Sequence, residues 1–141
     1  MTLLELLVAL VIAATLAALA LPSYRAHVVR AHRFEALEAL LAAASAQERF
    51  HLAQGRYAFR LAGEAAGDDE PALPVPALTR GGRYRLELRD VAVDRYRVVA
   101  VPVAGRGQES DTRCASFEIE SGGRRSARDA LDRDSTPDCW R

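Results

Sequence analysis

Lysine is absent from this chain, so all 19 basic residues are arginine. That removes the residue on which Schiff-base chemistry and phosphate-binding P-loops depend. Formal net charge is zero, which removes any overall pull toward nucleic acid and leaves such a role to local patches. The chain also lacks a Gly-rich phosphate loop, a nucleophile elbow, an internal repeat and a low-complexity block. No convergent reactive set remains, and the expectation is that the protein is not an enzyme. Charge is scarcest at the front, where Glu5 is the one charged side chain before Arg25.

What fills that front is a long hydrophobic run. From Leu6 to Leu21 every residue except Thr15 is apolar. As a helix rising about 1.5 Å per residue, the run crosses most of a bilayer core of roughly 30 Å. A charged Glu5 at its edge costs on the order of 2 kcal/mol or more unless something neutralises it. The sequence therefore calls for a counter-ion. A cleavable secretory signal would show a basic start and would lose its apolar core, whereas here nothing basic precedes the run and Ala-rich helical sequence continues through Pro22. The run reads as a permanent part of the molecule, and residues 1–24 read as its apolar unit.

Residues 25–141 read as one globular domain of about 120 residues, enough for a modest core. Ser23 to Ala53 is rich in strong helix formers without Gly or Pro, predicting one helix of about 50 residues that starts in the apolar run and stops at Gly55. Phe34, Leu37, Leu41 and Ala44, widened by Leu40 and Ala43, form its apolar stripe, while Arg30, Arg33, Glu38 and Glu48 take the wet side. Pro22 cannot donate to the preceding turn and is expected to kink the rod. Arg56 to Arg80, with its acidic cluster Asp68, Asp69 and Glu70, reads as an irregular surface connection. RYRLELRD then alternates, with Tyr84, Leu86 and Leu88 on one side and Arg83, Arg85, Glu87 and Arg89 on the other. DRYRVVAVPVA and CASFEIES read as further strands, the second presenting Phe117 and Ile119 to one face, and Gly122 to Arg141 as a polar, turn-rich tail. The fold class is α+β: a long N-terminal helix packed on a small antiparallel sheet of three or four strands.

Only two cysteines occur, Cys114 and Cys139, in the last fifth of a chain whose front is an export or anchoring device. They read as a disulfide formed outside the cytoplasm, closing a C-terminal loop and stabilising the domain by about 3 kcal/mol.

The opening TLLELLVALVIAATLAALALPSY resembles the N-terminal segment of bacterial type IV pilins, with Thr2, Glu5, an unbroken apolar run, Pro22 and Tyr24 in place. AQERFHLAQGRYA and the closing Cys139–Trp140 resemble the minor-pilin branch that includes the DNA-uptake-sequence receptors. The resemblance implies a type IV pilin fold and a filament subunit. It also implies a methylated N-terminal amine at the position of Met1, paired with Glu5 of a neighbouring subunit. Implied partners are other pilin subunits through the N-terminal helix, the inner membrane before assembly, the prepilin peptidase with the assembly machinery, and DNA. The implied location is a single-pass inner-membrane form with a periplasmic head, then an extracellular pilus serving adhesion, twitching motility or DNA uptake. Family members usually carry Phe at the first mature position after a short basic leader; Met1 stands either for that residue or for a start set downstream of the leader.

Arginines offer the candidate DNA contacts. Arg124, Arg125, Arg128 and Arg133 lie within the loop closed by the cysteines, and Arg83, Arg85, Arg89, Arg95 and Arg97 could form a ladder on the strands. Asp129, Asp132, Asp134 and Asp138 offset the four loop arginines, so an ordinary solvated face is the competing reading. His27, His32 and His51 lack metal-ligand spacing, and DRDSTPD departs from a calcium loop at Thr136 and Pro137. No metal and no cofactor are expected. A secretion pseudopilin shares the N-terminal pattern; against it, such subunits rely on calcium more than on a C-terminal disulfide.

Overall fold

The computed structural model describes residues 2–64 and 71–140. It forms two compact units, Met1–Ala31 and His32–Arg141. Met1 and the acidic cluster Asp68, Asp69 and Glu70 lie outside the described residues.

Helix α1 spans Leu3–Gln54 and contributes to both units. It stops where expected: Gly55 takes a positive φ of 70° and its N–H closes on the His51 carbonyl at 2.8 Å. The backbone stays helical through Pro22, which has no N–H for the carbonyl of Ala18. In the first unit the polar atom of Thr15 is satisfied inside the helix, donating to the Ile12 carbonyl at 2.8 Å. The large apolar side chains from Leu3 to Leu21 are all exposed, from 51% at Val8 to 84% at Leu3. Such a surface is stable only under cover.

In the second unit α1 packs on a sheet. The strands are β1 (Leu61–Ala62), β2 (Leu73–Pro76), β3 (Tyr84–Arg89), β4 (Arg97–Pro102), β5 (Ser116–Glu120) and β6 (Arg125–Arg128). β3 to β6 make an antiparallel meander, with Leu86 opposite Ala100 and Ala100 opposite Phe117. The inner face carries Tyr84, Leu86, Val98, Ala100, Phe117, Ile119 and Ala127, all buried. The period-2 expectation for Tyr84, Leu86, Phe117 and Ile119 holds. Both sheet edges are blocked: Leu86 donates to the Ala77 carbonyl at 2.7 Å on one side, and Ser135 to the Ala127 carbonyl at 3.0 Å on the other.

Three expectations need correction. The buried face of the helix is Ala36, Leu40, Ala43 and Gln47, not the stripe through Phe34 and Leu41, which are 63% and 42% exposed. Small alanines let the helix approach the sheet closely, so the side that packs is rotated by one residue, about 100°, and Leu37 and Ala44 become flanking contacts. The connection from Arg56 to Arg80 is more ordered than an irregular loop, because β1 and β2 pair in parallel there and Leu61 and Leu73 are fully buried. Gln47 fixes its start by donating to the Ala58 carbonyl at 2.8 Å and accepting from the Ala58 N–H at 2.9 Å. The tail holds a fourth strand, β6, and a short helix α2 (Thr136–Cys139). Gly122 and Gly123, at φ 84° and 80°, turn β6 back on β5, where pairing decides the conformation of a sequence with one buried residue, Ala127.

Cys114 and Cys139 form a disulfide, as expected, closing a segment of sequence separation 25. Trp140 locks the same corner, its indole N–H donating to the Ser126 carbonyl at 2.7 Å while its ring meets Phe117 edge-on at 6.4 Å. Replacing both cysteines by alanine should lower unfolding free energy by about 3 kcal/mol, read as a fall in the urea midpoint; an unchanged midpoint would show the corner is held by Trp140 and β6 alone.

Candidate functional site

Two sets of residues bear on function, one in each unit. In the first, Glu5 lies in the opening turn of α1, where the helix dipole favours an anion. Its N–H donates to Thr2 Oγ1 at 3.4 Å, and its carboxylate Oε2 accepts from the Thr2 N–H at 3.4 Å. This is a loose capping box, legible in the sequence as Thr2-x-x-Glu5. Both contacts are long and solvent-exposed, so they leave most of the carboxylate's hydrogen-bonding capacity for another partner.

In the second unit the arginines are dispersed rather than gathered. β-strand alternation sends Arg125 and Arg128 to opposite faces of β6. Arg125 lies over the Trp140 ring at 5.4 Å, and Arg128 donates to the Asp132 carbonyl at 3.2 Å. Arg133 pairs with Asp129 at 2.7 Å, and Arg124 with Glu120 at 3.8 Å. The strand set is likewise engaged: Arg83 with Glu35, Arg89 with Glu87, Arg95 with Asp94, and Arg97 with Asp90, Glu118 and Glu120. Arg85 is exposed. The carboxylates of the C-terminal loop serve its turns: N–H groups and the guanidinium of Arg133 hold Asp129 below its ordinary value, and Thr136 does the same for Asp134. Among the described residues no group of three His, Cys, Asp or Glu is placed to hold a metal. His51 stacks on Tyr57 with ring centres 4.4 Å apart.

Two ion pairs at the start of the head's helix were not foreseen. Arg33, expected on the wet side, is 13% exposed and forks onto the 4%-exposed Asp111 with contacts of 2.7 and 2.9 Å. Its spacing to Ala36 and Leu40 puts it on the buried face. Asp111 Oδ1 also accepts from the Cys114 N–H at 3.3 Å, tying helix, loop and disulfide together. Glu35 accepts from the Thr79 hydroxyl, the Gly81 N–H at 2.8 Å and Arg83 at 3.1 Å. A Cβ at Gly81 would stand 2.6 Å from the Glu35 carboxylate, so a side chain there would displace the ends of Glu35 and Arg83. Burial pushes the Glu35 carboxyl up, but the hydrogen bonds from Thr79, Arg83 and Gly81 outweigh it and hold the group below its ordinary value.

A long helix, apolar at its front, on a four-stranded antiparallel sheet with a C-terminal disulfide is the type IV pilin fold. The sequence matches the family described as "Type IV minor pilin ComP, DNA uptake sequence receptor" over residues 22–118, and the chain belongs to that family. A solved type IV pilin from Shewanella oneidensis is 21% identical, with 69% of this chain and 89% of that one covered and a TM-score of 0.47. No curated protein matches the sequence significantly.

The Glu35 cluster sets an acid sensitivity. A carboxyl lowered on folding contributes stability that is complete above the ordinary value of 4.5 and is lost as pH falls through the lower folded value. Between neutral pH and pH about 3, the urea midpoint should fall further for the unaltered protein than for Glu35→Gln; equal falls would show that the cluster does not couple to folding.

Proposed function

We propose that this chain is a minor pilus subunit, held in the inner membrane by residues 1–24 until that same segment becomes filament core. The observation that carries the reading is the uniformly exposed apolar surface of the first half of α1, bearing one carboxylate. Bilayer and helix bundle are the two surroundings that would cover it. In the bilayer Glu5 sits at the edge of the segment; in a bundle it pairs with the methylated N-terminal amine of a neighbour, at Met1. A buried pair of this kind sets register, because any stagger that separates the charges leaves both unpaired. Pro22 gives the rod a point of bending between its membrane and head portions. Processing by a prepilin peptidase and handling by the pilus assembly machinery belong to the same reading.

Glu5→Leu keeps the segment apolar and removes the register charge. Filaments should then contain little of this protein while its membrane-fraction level stays near normal, measured by immunoblotting sheared filaments against membranes. Normal incorporation would reject the filament role assigned to Glu5.

A second role, DNA contact by the head, is favoured by the match to a family described as a DNA uptake sequence receptor. Arg124, Arg125, Arg128 and Arg133 are the candidate residues, although aspartate pairing at Arg133 and ring stacking at Arg125 leave them only partly available. If they contact phosphates, changing all four to glutamine should weaken binding of duplex DNA and flatten its dependence on salt by up to about four counter-ions. An unchanged affinity and slope would remove these arginines from any DNA surface.

A further inference from the structure

We propose that the head carries a groove for a second copy of this chain, filled by Leu131 of that copy. The groove lies between the head's part of α1 and residues 75–80. It encloses about 250 Å3 and is lined by Ala39 and Ala42 of the helix and by Val75, Leu78 and Leu86 opposite. Short alanine side chains leave the space open, and Leu78 is half-exposed at its rim. A cavity of roughly 150 Å3 takes a benzene ring, so a leucine side chain fits this one.

Leu131 has the form of a matching knob. It is exposed on a turn pinned from within: Asp129 accepts from the Leu131 and Arg133 N–H groups, each at 2.9 Å, and Arg128 donates to the Asp132 carbonyl at 3.2 Å. Asp132 holds a positive φ of 59°, a conformation that aspartate tolerates. A turn already ordered loses little freedom on docking. Val93, exposed on the turn between β3 and β4, differs in that its neighbours Asp94 and Arg95 pair with each other.

Knob and groove belong to opposite edges of the sheet. The groove segment is fixed to β3, where Leu86 donates to the Ala77 carbonyl, and the knob's turn to β6, where Ser135 donates to the Ala127 carbonyl. The interstrand spacings from β3 to β6 put roughly 14 Å between those edges, so Leu131 does not reach the groove of its own chain. A contact between unlike patches leaves a free groove on one copy and a free knob on the other, and so adds copies head to tail.

Charges around the two patches are complementary. At the groove Glu35 and Arg83 pair with each other, while Glu38 on the helix and Arg80 opposite have no ion pair among the described residues. Arg85, bridged to Leu78, is a further exposed cation, and Arg60 and Glu64 beyond Leu78 offset each other in formal charge. At the knob Arg133 pairs with Asp129, Arg128 lies near Asp134, and Asp132 has no ion pair among the described residues. Arg113 and Asp138 line the cavity beside that turn, one of each sign. Acids therefore outnumber arginines at the knob, and arginines outnumber acids at the groove. Leu131 seated in the groove brings Asp132 toward Arg80 and the largely exposed Arg133 toward Glu38.

The contact involves head residues alone and does not depend on where the apolar helix resides. Its test expresses two full-length copies with different tags together, one L131C and one L78C, and joins them in intact cells with a short bismaleimide. Cys114 and Cys139 are bonded to each other, so the introduced thiols are the ones that react. Mixed dimers should outnumber dimers of either variant with itself several-fold. R80Q in the groove copy should lower the mixed yield several-fold, and so should D132N in the knob copy, where asparagine keeps the positive φ accessible. The two together should lower it no further, since they remove one shared contact. Absence of mixed dimers with both copies at normal levels overturns the proposal. So do self-dimers in equal yield, which mean chance collision or a symmetric interface. Losses that add, or no loss from either substitution, overturn the seating of Leu131 beside Arg80. Capture of L78C by a different protein in place of the L131C copy overturns the second copy as occupant.

Discussion

An apolar helix that its own chain leaves in water is the constraint on which the rest of this molecule depends. The side chains of Leu3 to Leu21 are more than half exposed at every large apolar position. At about 25 cal/mol for each Å² removed from water, covering such a surface gives a large driving force for leaving the aqueous phase. That force has no direction of its own. A lipid core and a bundle of apolar helices satisfy it equally well, and on the proposed reading the segment passes from one to the other. Direction has to come from a polar group, and Glu5 is the one ionisable side chain in the segment.

The head solves a different problem with different means. Its helix face is built from alanines and Leu40, with Gln47 bonded to both backbone groups of Ala58, so close approach to the sheet replaces bulky interdigitation. A small core of this kind is reinforced at its periphery. The disulfide and Trp140 hold the C-terminal corner, and Arg33–Asp111 with the Glu35 cluster fastens the loops to the start of the head's part of α1. Ion pairs that leave Arg33 and Asp111 largely buried contribute more to a single arrangement than to net stability, since desolvation offsets much of their attraction.

What could be read from the sequence was whatever repeats locally. The apolar run, the stop at Gly55, the alternation through Tyr84, Leu86, Phe117 and Ile119, and the pairing of the two cysteines all rest on composition or on a period of a few residues. What escaped depended on distant partners. Arg33 meets Asp111 across a separation of 78 residues, and no local pattern announces that pair. Strand β6, with Arg-Ser-Ala-Arg as its sequence, becomes a strand because β5 offers it an edge. The helix face was centred one residue off, with Leu40 and Ala43 inside the expected stripe, because hydrophobic size outranks fit in a periodicity reading: Phe34 is larger than Ala36, yet the smaller residue packs. The capping box at Thr2 and Glu5 was legible and was passed over, since one residue can serve a local role and an assembly role together. The candidate arginines of the C-terminal loop could be counted but not placed, because strand alternation and aspartate pairing separate them.

Chemical accessibility tests the central claim most directly. A cysteine placed at Ile12, which is 53% exposed in the isolated chain, should resist a membrane-impermeant maleimide both in membranes and in sheared filaments. A cysteine at Leu52, 86% exposed and outside the apolar run, should react in both. Ready labelling at position 12 in either fraction would mean that nothing covers the apolar helix, and would contradict the account.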